Sequence, residues 1–407
     1  MTPRPRIPGV RSLHSPGPTH VPDEVVAAMS RQPTDLADPR VDVLIANCES
    51  GLKDLLKTDR AEVFFYSANG HGGWEAVISN LVAPGSTILI PGTGHFSDGW
   101  AEQVEAFGGK ALRTPFVEGM PIDPAAIEQV LRDDREHRIS AVFAVHTDTA
   151  SSTTSDLAAL RRAIDAAGHP ALYVVDVVAS LAAAPFAMDA LGVDAVMGAS
   201  QKGLMLPPGL SFNAVSAKAM AASEGGGMPR SFWDWRDMLG PNATGYFPYT
   251  PSTNLLYGLR EALAMLQEEG LPQVFARHQR HAAAVRAAVR AWGLEVLCQD
   301  PREYSPVLTG VLMPDGHDAD RLRGVILDNY DMSLGQGLGK VRGRVFRIGH
   351  LGHINDLHLL GALGGVEMGL HDAGVPHRQG GVGAAMDVLA GRTQVASRGQ
   401  DTGQIAA

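Results

Sequence analysis

Short apolar runs alternate with longer helix-like stretches through the first half of the chain. The runs lie at 61–66, 87–90, 139–145, 171–175 and 195–197. Apolar strands separated by amphipathic helices are typical of βαβ units, in which helices cover both faces of a mainly parallel sheet. This alternation constrains the fold more than any other feature of the sequence. It predicts an α/β fold whose large domain is built on such a sheet.

Composition limits the partners and the compartment. The chain of 407 residues has a formal net charge of -10 and no dense block of Lys and Arg, which argues against nucleic acid or an anionic membrane as a partner. Cys48 and Cys298 are its only cysteines, and neither lies in a CxxC spacing. No apolar stretch has transmembrane length, and the N-terminus lacks a signal-like apolar run. We therefore expect a soluble cytoplasmic protein that acts on small molecules.

A second, smaller domain is predicted in the C-terminal part. Leucines at helical spacing over 254–269 predict a helix that leads into it. Helix-like stretches follow at 273–292 and 319–327, with strand-like runs at 294–297, 307–313 and 345–348. We divide the chain into an N-terminal arm at 1–22, a large domain at 23–260, a small C-terminal α+β domain at 261–378, and a tail at 379–407 that is loose at its end.

Polar residues follow each of the five predicted strands. They are Asn69–Gly73, Gly94–Phe96, His146–Thr149, Asp176, and Gln201 with Lys202. Ligands of open parallel sheets bind outside the carboxyl ends of the strands. These five groups are therefore expected to meet in one crevice.

Lys202 and Asp176 point to a particular cofactor. A lysine that leaves a strand into a loop bounded by Gly and Pro can form an imine with an aldehyde cofactor. A carboxylate one βα unit earlier can keep a pyridine nitrogen protonated. Each residue alone has an ordinary explanation, a solvated lysine and a helix N-cap. Together they predict pyridoxal phosphate, with Lys202 and Asp176 as the catalytic residues.

Three further features have a functional and a structural interpretation. The glycine-rich turn at 67–73 opens a predicted helix at 74–81, where backbone N–H groups can approach a phosphate, but such turns are also common in structural roles. The ring of Phe96 could stack on the cofactor or lie in the core. The hydroxyl of Thr149 could bind the phenolic oxygen of the cofactor, or its loop could cap a helix that begins near Ser155.

Arg347 lies between apolar neighbours in the predicted small domain. Its guanidinium could bind a substrate carboxylate bidentately, or it could form an ion pair between domains. His350 and His353 follow closely, but no third ligand at a suitable spacing accompanies them, so we expect no metal site.

At this point the sequence resembles the class V aminotransferases of fold type I, in particular the alanine–glyoxylate and serine–glyoxylate group. The resemblance extends from about Pro16 to Met368. It is strongest in VDVVASL at 175–181, GASQKGLMLPPG at 198–209 and FRIGHLG at 346–352. It implies the fold of that family, with a seven-stranded, mainly parallel sheet in the large domain, and activity as a pyridoxal-phosphate-dependent transaminase.

The resemblance also implies a role for each site residue. Lys202 would hold the cofactor as an imine, and Asp176 would pair with its pyridinium nitrogen. The remaining cofactor and substrate contacts would be Asn69, Gly70, His71 and Gln201 on the phosphate, Thr149 on the phenolic oxygen, Phe96 on the ring, and Arg347 on the α-carboxylate. In this family the partner subunit completes the phosphate site with a threonine and a tyrosine. Thr250 matches the threonine, which implies a homodimer with shared active sites.

The sequence departs from the family pattern in three places. No histidine occurs between Asp35 and Arg40, and no glycine occurs in 150–153. Phe247 stands where the tyrosine is expected, and whether Tyr249 or Tyr246 takes its place is open. None of these positions is Lys202 or Asp176, so the departures concern substrate choice and access to the site.

The predicted reaction is a ping-pong transamination from serine, alanine or aspartate to a small 2-oxo acid, glyoxylate being the expected acceptor. The alternative within enzymes is a pyridoxal-phosphate-dependent lyase that catalyses aldol cleavage or elimination. A desulfurase is disfavoured because that chemistry needs a mobile cysteine nucleophile. A third possibility is a catalytically inactive cofactor-binding protein, against which the joint presence of Lys202, Asp176 and Arg347 argues.

Overall fold

A computed structural model describes residues 7–225, 227–243 and 247–391. Its helices are α1 (Asp23–Met29), α2 (Pro39–Leu56), α3 (Gly70–Leu81), α4 (His95–Ala106), α5 (Pro124–Asp133), α6 (Leu157–Ala167), α7 (Ala217–Gly225), α8 (Trp235–Ala243), α9 (Thr253–Glu269), α10 (Leu271–Trp292), α11 (Ala319–Tyr330), α12 (Asp356–Asp372) and α13 (Gly381–Leu389). Its strands are β1 (Ser12–His14), β2 (Glu62–Tyr66), β3 (Thr87–Ile90), β4 (Lys110–Arg113), β5 (Ile139–Val145), β6 (Thr147–Asp148), β7 (Thr153–Thr154), β8 (Leu172–Asp176), β9 (Ala195–Ala199), β10 (Ser211–Val215), β11 (Glu295–Val296), β12 (Leu308–Leu312), β13 (Met332–Gln336) and β14 (Val345–Gly349). No helix in these ranges is both long and apolar enough to cross a membrane.

The larger sheet has seven strands in the order β2-β10-β9-β8-β5-β3-β4. β10 runs antiparallel to both of its neighbours, and the other adjacent pairs are parallel. The predicted α/β fold with a mainly parallel sheet is therefore confirmed. The central strands β8 and β9 are buried along their whole length, which explains their continuous apolar sequence.

Two strands of this sheet are absent from the sequence prediction. β4 lies at the sheet edge, where most of its side chains are at least partly exposed, so it lacks an apolar run. β10 is fully buried, but its sequence includes Ser211 and Asn213. Asn213 accepts a hydrogen bond from Trp235 Nε1 at 3.2 Å and donates to the carbonyl of Gly73 at 3.3 Å. These partners allow a polar residue in the core.

Helix α3 begins at Gly70, four residues before its predicted start. The side chain of Asn69 caps it by accepting hydrogen bonds from the backbone N–H groups of His71 (3.1 Å) and Gly72 (3.3 Å). α3 packs on β9 and β10. Its N-terminus therefore lies next to the carboxyl end of β9, where the chain continues to Lys202.

A second sheet of five strands has the order β1-β13-β14-β12-β11, and its pairs are antiparallel except for β1 with β13. Residues of α10, α11 and α12 form a separate apolar core beside it. β1 belongs to the predicted N-terminal arm, so the arm is joined to this second sheet. The domain limits at 22, 260 and 378 stay predictions.

The beginning of the predicted tail holds a helix that was not predicted from the sequence. α13 occupies 381–389 and packs against α10 and α12, with Ala385 and Val388 buried. Gly381 lies so close to the indole of Trp292 that a Cβ atom would come within 2.1 Å of its Nε1. The packed helix extends the small apolar core beyond 378. The remainder of the tail, 392–407, lies outside the described residues.

Candidate active site

A cavity of about 300 Å³ opens at the carboxyl ends of the strands of the larger sheet. That size is at the lower end of small-molecule sites. Eight of the residues predicted from the sequence line it, namely Asn69, Gly70, His71, Phe96, Thr149, Asp176, Gln201 and Lys202. Residues separated by up to 133 positions in the sequence thus meet as the sheet topology predicts. Their individual roles stay predictions.

Lys202 lies in the loop after β9, against the N-terminal segment of the chain. Its Nζ donates a hydrogen bond of 2.7 Å to the carbonyl of Pro16, and Thr19 Oγ1 donates to the carbonyl of Lys202 at 3.1 Å. Gly17 has φ +139°, and a Cβ atom there would lie 2.5 Å from Lys202 Nζ. The segment 16–19, which sequence analysis did not assign to the site, therefore forms one wall of the cavity and requires a glycine.

The environment of Lys202 favours its nucleophilic form. Burial lowers the pKa of Lys202 to about 8, and the positive charge of Arg347 acts in the same direction. A lysine with this pKa carries an appreciable uncharged fraction near neutral pH. An uncharged amine is what attack on an aldehyde requires.

Asp176 ends β8 and is held by two hydrogen-bond donors. Trp74 Nε1 donates to Oδ2 at 2.9 Å, and the backbone N–H of Val178 donates to Oδ1 at 2.7 Å. Burial raises the pKa of Asp176 to about 6, while the two donors and Lys202 lower it. The carboxyl group is therefore mainly ionised at neutral pH. It does not cap a helix, which was its ordinary alternative, because turns rather than a helix follow β8.

The predicted phosphate side of the cavity is formed by α3 and Gln201. The helix N-terminus at Gly70 brings partial positive charge to the cavity wall. Gln201 Oε1 is buried without a hydrogen-bond partner among the described residues. An unsatisfied amide at a cavity is available to a ligand. With an amine and an ionised carboxylate on the same walls, these groups fit the phosphate, aldehyde and pyridine nitrogen of pyridoxal phosphate.

Asp148 fixes the two loops that carry Phe96 and Thr149, a role that was not predicted from the sequence. Its Oδ2 accepts from the backbone N–H of Phe96 at 3.1 Å, and its Oδ1 accepts from the N–H of Ala150 at 2.9 Å. The loop containing Thr149 turns between β6 and β7, and Ser152 takes a left-handed conformation there with φ +63°. The loop therefore makes its turn without the glycine of the family pattern. The cap of α6 is Asp156, so Thr149 is not needed for that structural role.

Arg347 lies behind the cavity wall on β14. Its Nε donates to the carbonyl of Gln336 at 2.7 Å and its Nη1 to the carbonyl of Thr149 at 2.9 Å. Only 7% of the residue is exposed. Among the described residues it has no ion-pair partner, and Nη2 has no hydrogen-bond partner. Burial lowers its pKa to about 10, and the negative charge of Asp148 opposes that effect.

The structure thus does not provide the interdomain ion pair that was the alternative role for Arg347 within the described part of the chain. A buried guanidinium without a carboxylate partner is energetically unfavourable unless a ligand supplies one. Its free Nη2 beside Thr149 is suited to a substrate carboxylate.

Thr250 is exposed and lies outside the cavity of its own chain, in a second pocket together with Phe247. Phe247 is buried against Phe65, with ring centroids 6.3 Å apart. The predicted phosphate contact of Thr250 therefore requires a second subunit. Tyr249, one candidate for the missing tyrosine, bonds Ser231 Oγ at 2.9 Å. The other candidate, Tyr246, lies outside the described residues.

Several further lining residues had no predicted contact of their own. They are Gly17, Pro18, Trp74, Val145, Thr147, Val178, Ala179 and Pro208. Most are direct neighbours of motif residues, and that proximity was the available signal. Conversely, His146 lies behind the cavity next to Phe186, where burial lowers its pKa to about 4.

A mainly parallel seven-stranded sheet, with a buried carboxylate at the end of one strand and a partly buried lysine in the loop after the adjacent strand, defines a pyridoxal-phosphate-dependent enzyme of fold type I. The comparisons with known proteins specify its family. The family described as aminotransferase class-V matches residues 12–339. The chain belongs to the class V aminotransferases and is a pyridoxal-phosphate-dependent transaminase.

Similar proteins span almost the whole chain. A serine–glyoxylate aminotransferase of Methylorubrum extorquens is 43% identical over 390 residues, which cover 94% of this chain and 97% of the relative. An L-aspartate–glyoxylate aminotransferase of Paracoccus denitrificans is 42% identical over 91% of this chain and 94% of the relative. The crystal structure of ureidoglycine–glyoxylate aminotransferase from Bacillus subtilis has a TM-score of 0.86 at 26% identity, covering 95% of this chain and 100% of that one.

Proposed function

We propose that this aminotransferase moves the amino group of a small amino acid, serine, alanine or aspartate, to glyoxylate by a ping-pong mechanism. The observation that carries the proposal is the unpaired guanidinium of Arg347 beside the cavity that holds Lys202 and Asp176. Amino donor and oxo-acid acceptor each carry a carboxylate next to the reacting carbon, and one arginine can serve both in turn. The names of the relatives above support glyoxylate as the acceptor.

Bound pyridoxal phosphate supplies an electron sink for negative charge at the substrate α-carbon. The side chains then have distinct tasks. Arg347 binds the carboxylate and so orients the α-carbon. The Nζ of Lys202, once uncharged, accepts the α-proton and later returns a proton, because its lowered pKa is suited to both steps near neutral pH. The negative charge of Asp176 favours a protonated pyridine nitrogen.

We further propose a homodimer that acts in the cytoplasm. Thr250 supports the dimer because it is exposed and lies apart from the cavity of its own chain, as expected of a residue that contributes to a neighbouring site. Two buried, unpaired cysteines, Cys48 and Cys298, are compatible with a reducing compartment.

The test is transfer of a nitrogen-15 label. Protein loaded with pyridoxal phosphate is incubated with labelled serine, alanine or aspartate and unlabelled glyoxylate, and the products are analysed by mass spectrometry. Labelled glycine is expected with at least one donor and none with the Lys202→Ala variant. Labelled ammonia without labelled glycine would instead support elimination. Labelled glycine formed from serine together with formaldehyde, with no glyoxylate present, would support aldol cleavage.

A further inference from the structure

The carboxylate of Asp176 is held by a side chain from a different element. Val178, the donor to Oδ1, is only two residues away along the chain. Trp74, the donor to Oδ2, comes from α3, the helix whose N-terminus lies at the cavity. This bond therefore joins the predicted phosphate side of the site to the predicted pyridine side.

Aromatic packing fixes the indole of Trp74. The residue is only 3% exposed, and its ring stacks on Trp100 with centroids 5.5 Å apart and planes inclined by 10°. Trp100 in turn lies 4.7 Å from the ring of Phe143 on β5. A ring held in this way presents its N–H in one direction, so it can define the orientation of the acceptor.

We propose that Trp74 is a positioning residue that keeps the Asp176 carboxylate ionised and directed at the pyridine nitrogen of the cofactor. The inference rests on the proposed role of Asp176 and adds a residue to it. An N–H donated to a carboxylate favours the charged form, which opposes the effect of burial. Four other titratable groups lie around Asp176. Asp148 and Lys202 act on it through their charges, the backbone N–H of His146 donates to the Asp176 carbonyl, and His71 lies at the edge of Trp74.

The chain contains a matched control. Trp100 is also buried and is the other ring of this stacked pair, but its Nε1 has no hydrogen-bond partner among the described residues. Trp74→Phe and Trp100→Phe remove equal amounts of indole from one aromatic stack. Only Trp74→Phe removes a hydrogen bond to Asp176.

Two measurements on the folded variants test the proposal. The first is the dissociation constant of pyridoxal phosphate across pH. We expect Trp74→Phe to weaken binding about tenfold, as for loss of one hydrogen bond to a charged group. Without its donor the pKa of Asp176 rises, so cofactor binding should be lost on acidification at a higher pH than in the unmodified protein. The second is the nitrogen-15 resonance of cofactor labelled in its ring, which should move toward the unprotonated form. Trp100→Phe keeps an aromatic ring against Trp74 and leaves the bond to Asp176 in place, so it should change both measurements less than Trp74→Phe does.

Equal effects of the two phenylalanine variants, or no effect of Trp74→Phe, would overturn the proposal. A Trp74→Phe protein that does not fold is replaced by one with 3-benzothienylalanine at position 74, which keeps the tryptophan shape without the N–H. Asp176→Asn separates this inference from the proposed function. If Asp176→Asn binds the cofactor normally and the ring nitrogen stays protonated, the proposed role of Asp176 is wrong. If Asp176→Asn changes both measurements while Trp74→Phe gives the same values as Trp100→Phe, only the proposed role of Trp74 is wrong.

Discussion

Replacing Arg347 by methionine should separate substrate binding from stability. The residue is 7% exposed and donates to the carbonyls of Gln336 and Thr149, but has no carboxylate partner among the described residues. Burial lowers the pKa of its guanidinium to about 10. Because a tenfold change in an acid constant is about 1.4 kcal/mol, this depression corresponds to a cost of roughly 3 kcal/mol for the charged form. Methionine removes that cost.

The substitution also leaves two carbonyls without a donor, at about 1–3 kcal/mol each. The two effects nearly cancel, so Arg347→Met should shift the melting temperature of the cofactor-free protein by only a few degrees. The carboxylate of the amino-acid substrate should lose charge-assisted hydrogen bonds worth about 2–4 kcal/mol. The affinity for that substrate should then be roughly 30- to 1,000-fold weaker. Arg347→Lys, which keeps the charge but not the planar fork, should lie between the two proteins.

The assay is a titration of the bound cofactor's visible absorbance with serine or alanine, without an oxo acid, together with thermal melting. Arg323→Met is the control. Arg323 lies close to Arg347 and also bonds a carbonyl, that of Leu334, but it is paired with Asp320 at 2.9 Å. Arg323→Met should leave the affinity for the amino-acid substrate unchanged. Unchanged affinity in Arg347→Met, or a collapse of stability like that of a core truncation, would refute the reasoning.

Three further changes test other parts of the site. Lys202→Met should abolish the mass increase that borohydride produces in the cofactor-loaded protein. It should also stabilise the cofactor-free protein at pH 7 by up to about 3 kcal/mol, because the pKa of Lys202 is lowered from 10.5 to about 8 on folding. Between about pH 8 and pH 10.5 the unfolded chain therefore binds more protons than the folded chain, and the stability of the unmodified protein rises with pH. Melting curves of the two proteins that differ equally at pH 7 and pH 11 would contradict this. Gly17→Ala places a methyl group 2.5 Å from Lys202 Nζ at a residue with φ +139°. The variant should lose about 1–3 kcal/mol of stability and should not link the cofactor covalently. A normal visible spectrum would show that the N-terminal arm does not contact Lys202. Thr250→Glu should inactivate the protein because the new carboxylate repels the phosphate. Refolding this variant together with Lys202→Ala should recover activity, because a mixed dimer has one site with an intact lysine from one subunit and an intact threonine from the other. Mixed dimers without activity would argue against a shared site.

The predicted elements show what could be read locally. The five apolar runs of the larger sheet became β2, β3, β5, β8 and β9 because buried parallel strands must be apolar on both faces. The same logic missed β4, which is an exposed edge, and β10, whose polar residues find partners only in the folded core. The helix at 381–389 was missed because its burial depends on Trp292, which lies far away in the sequence.

The sequence by itself determined which residues follow each predicted strand along the chain. Through the motifs around Asp176, Lys202 and Arg347 it also determined the family and its cofactor. Such motifs are local, because each strand end and its loop are encoded by consecutive residues. Only the tertiary structure revealed the bond from Trp74 to Asp176, the hold of Asp148 on two loops, and the contact of the N-terminal arm with Lys202. Hydrogen bonds between distant segments depend on side-chain direction and packing, and neither follows from spacing along the chain.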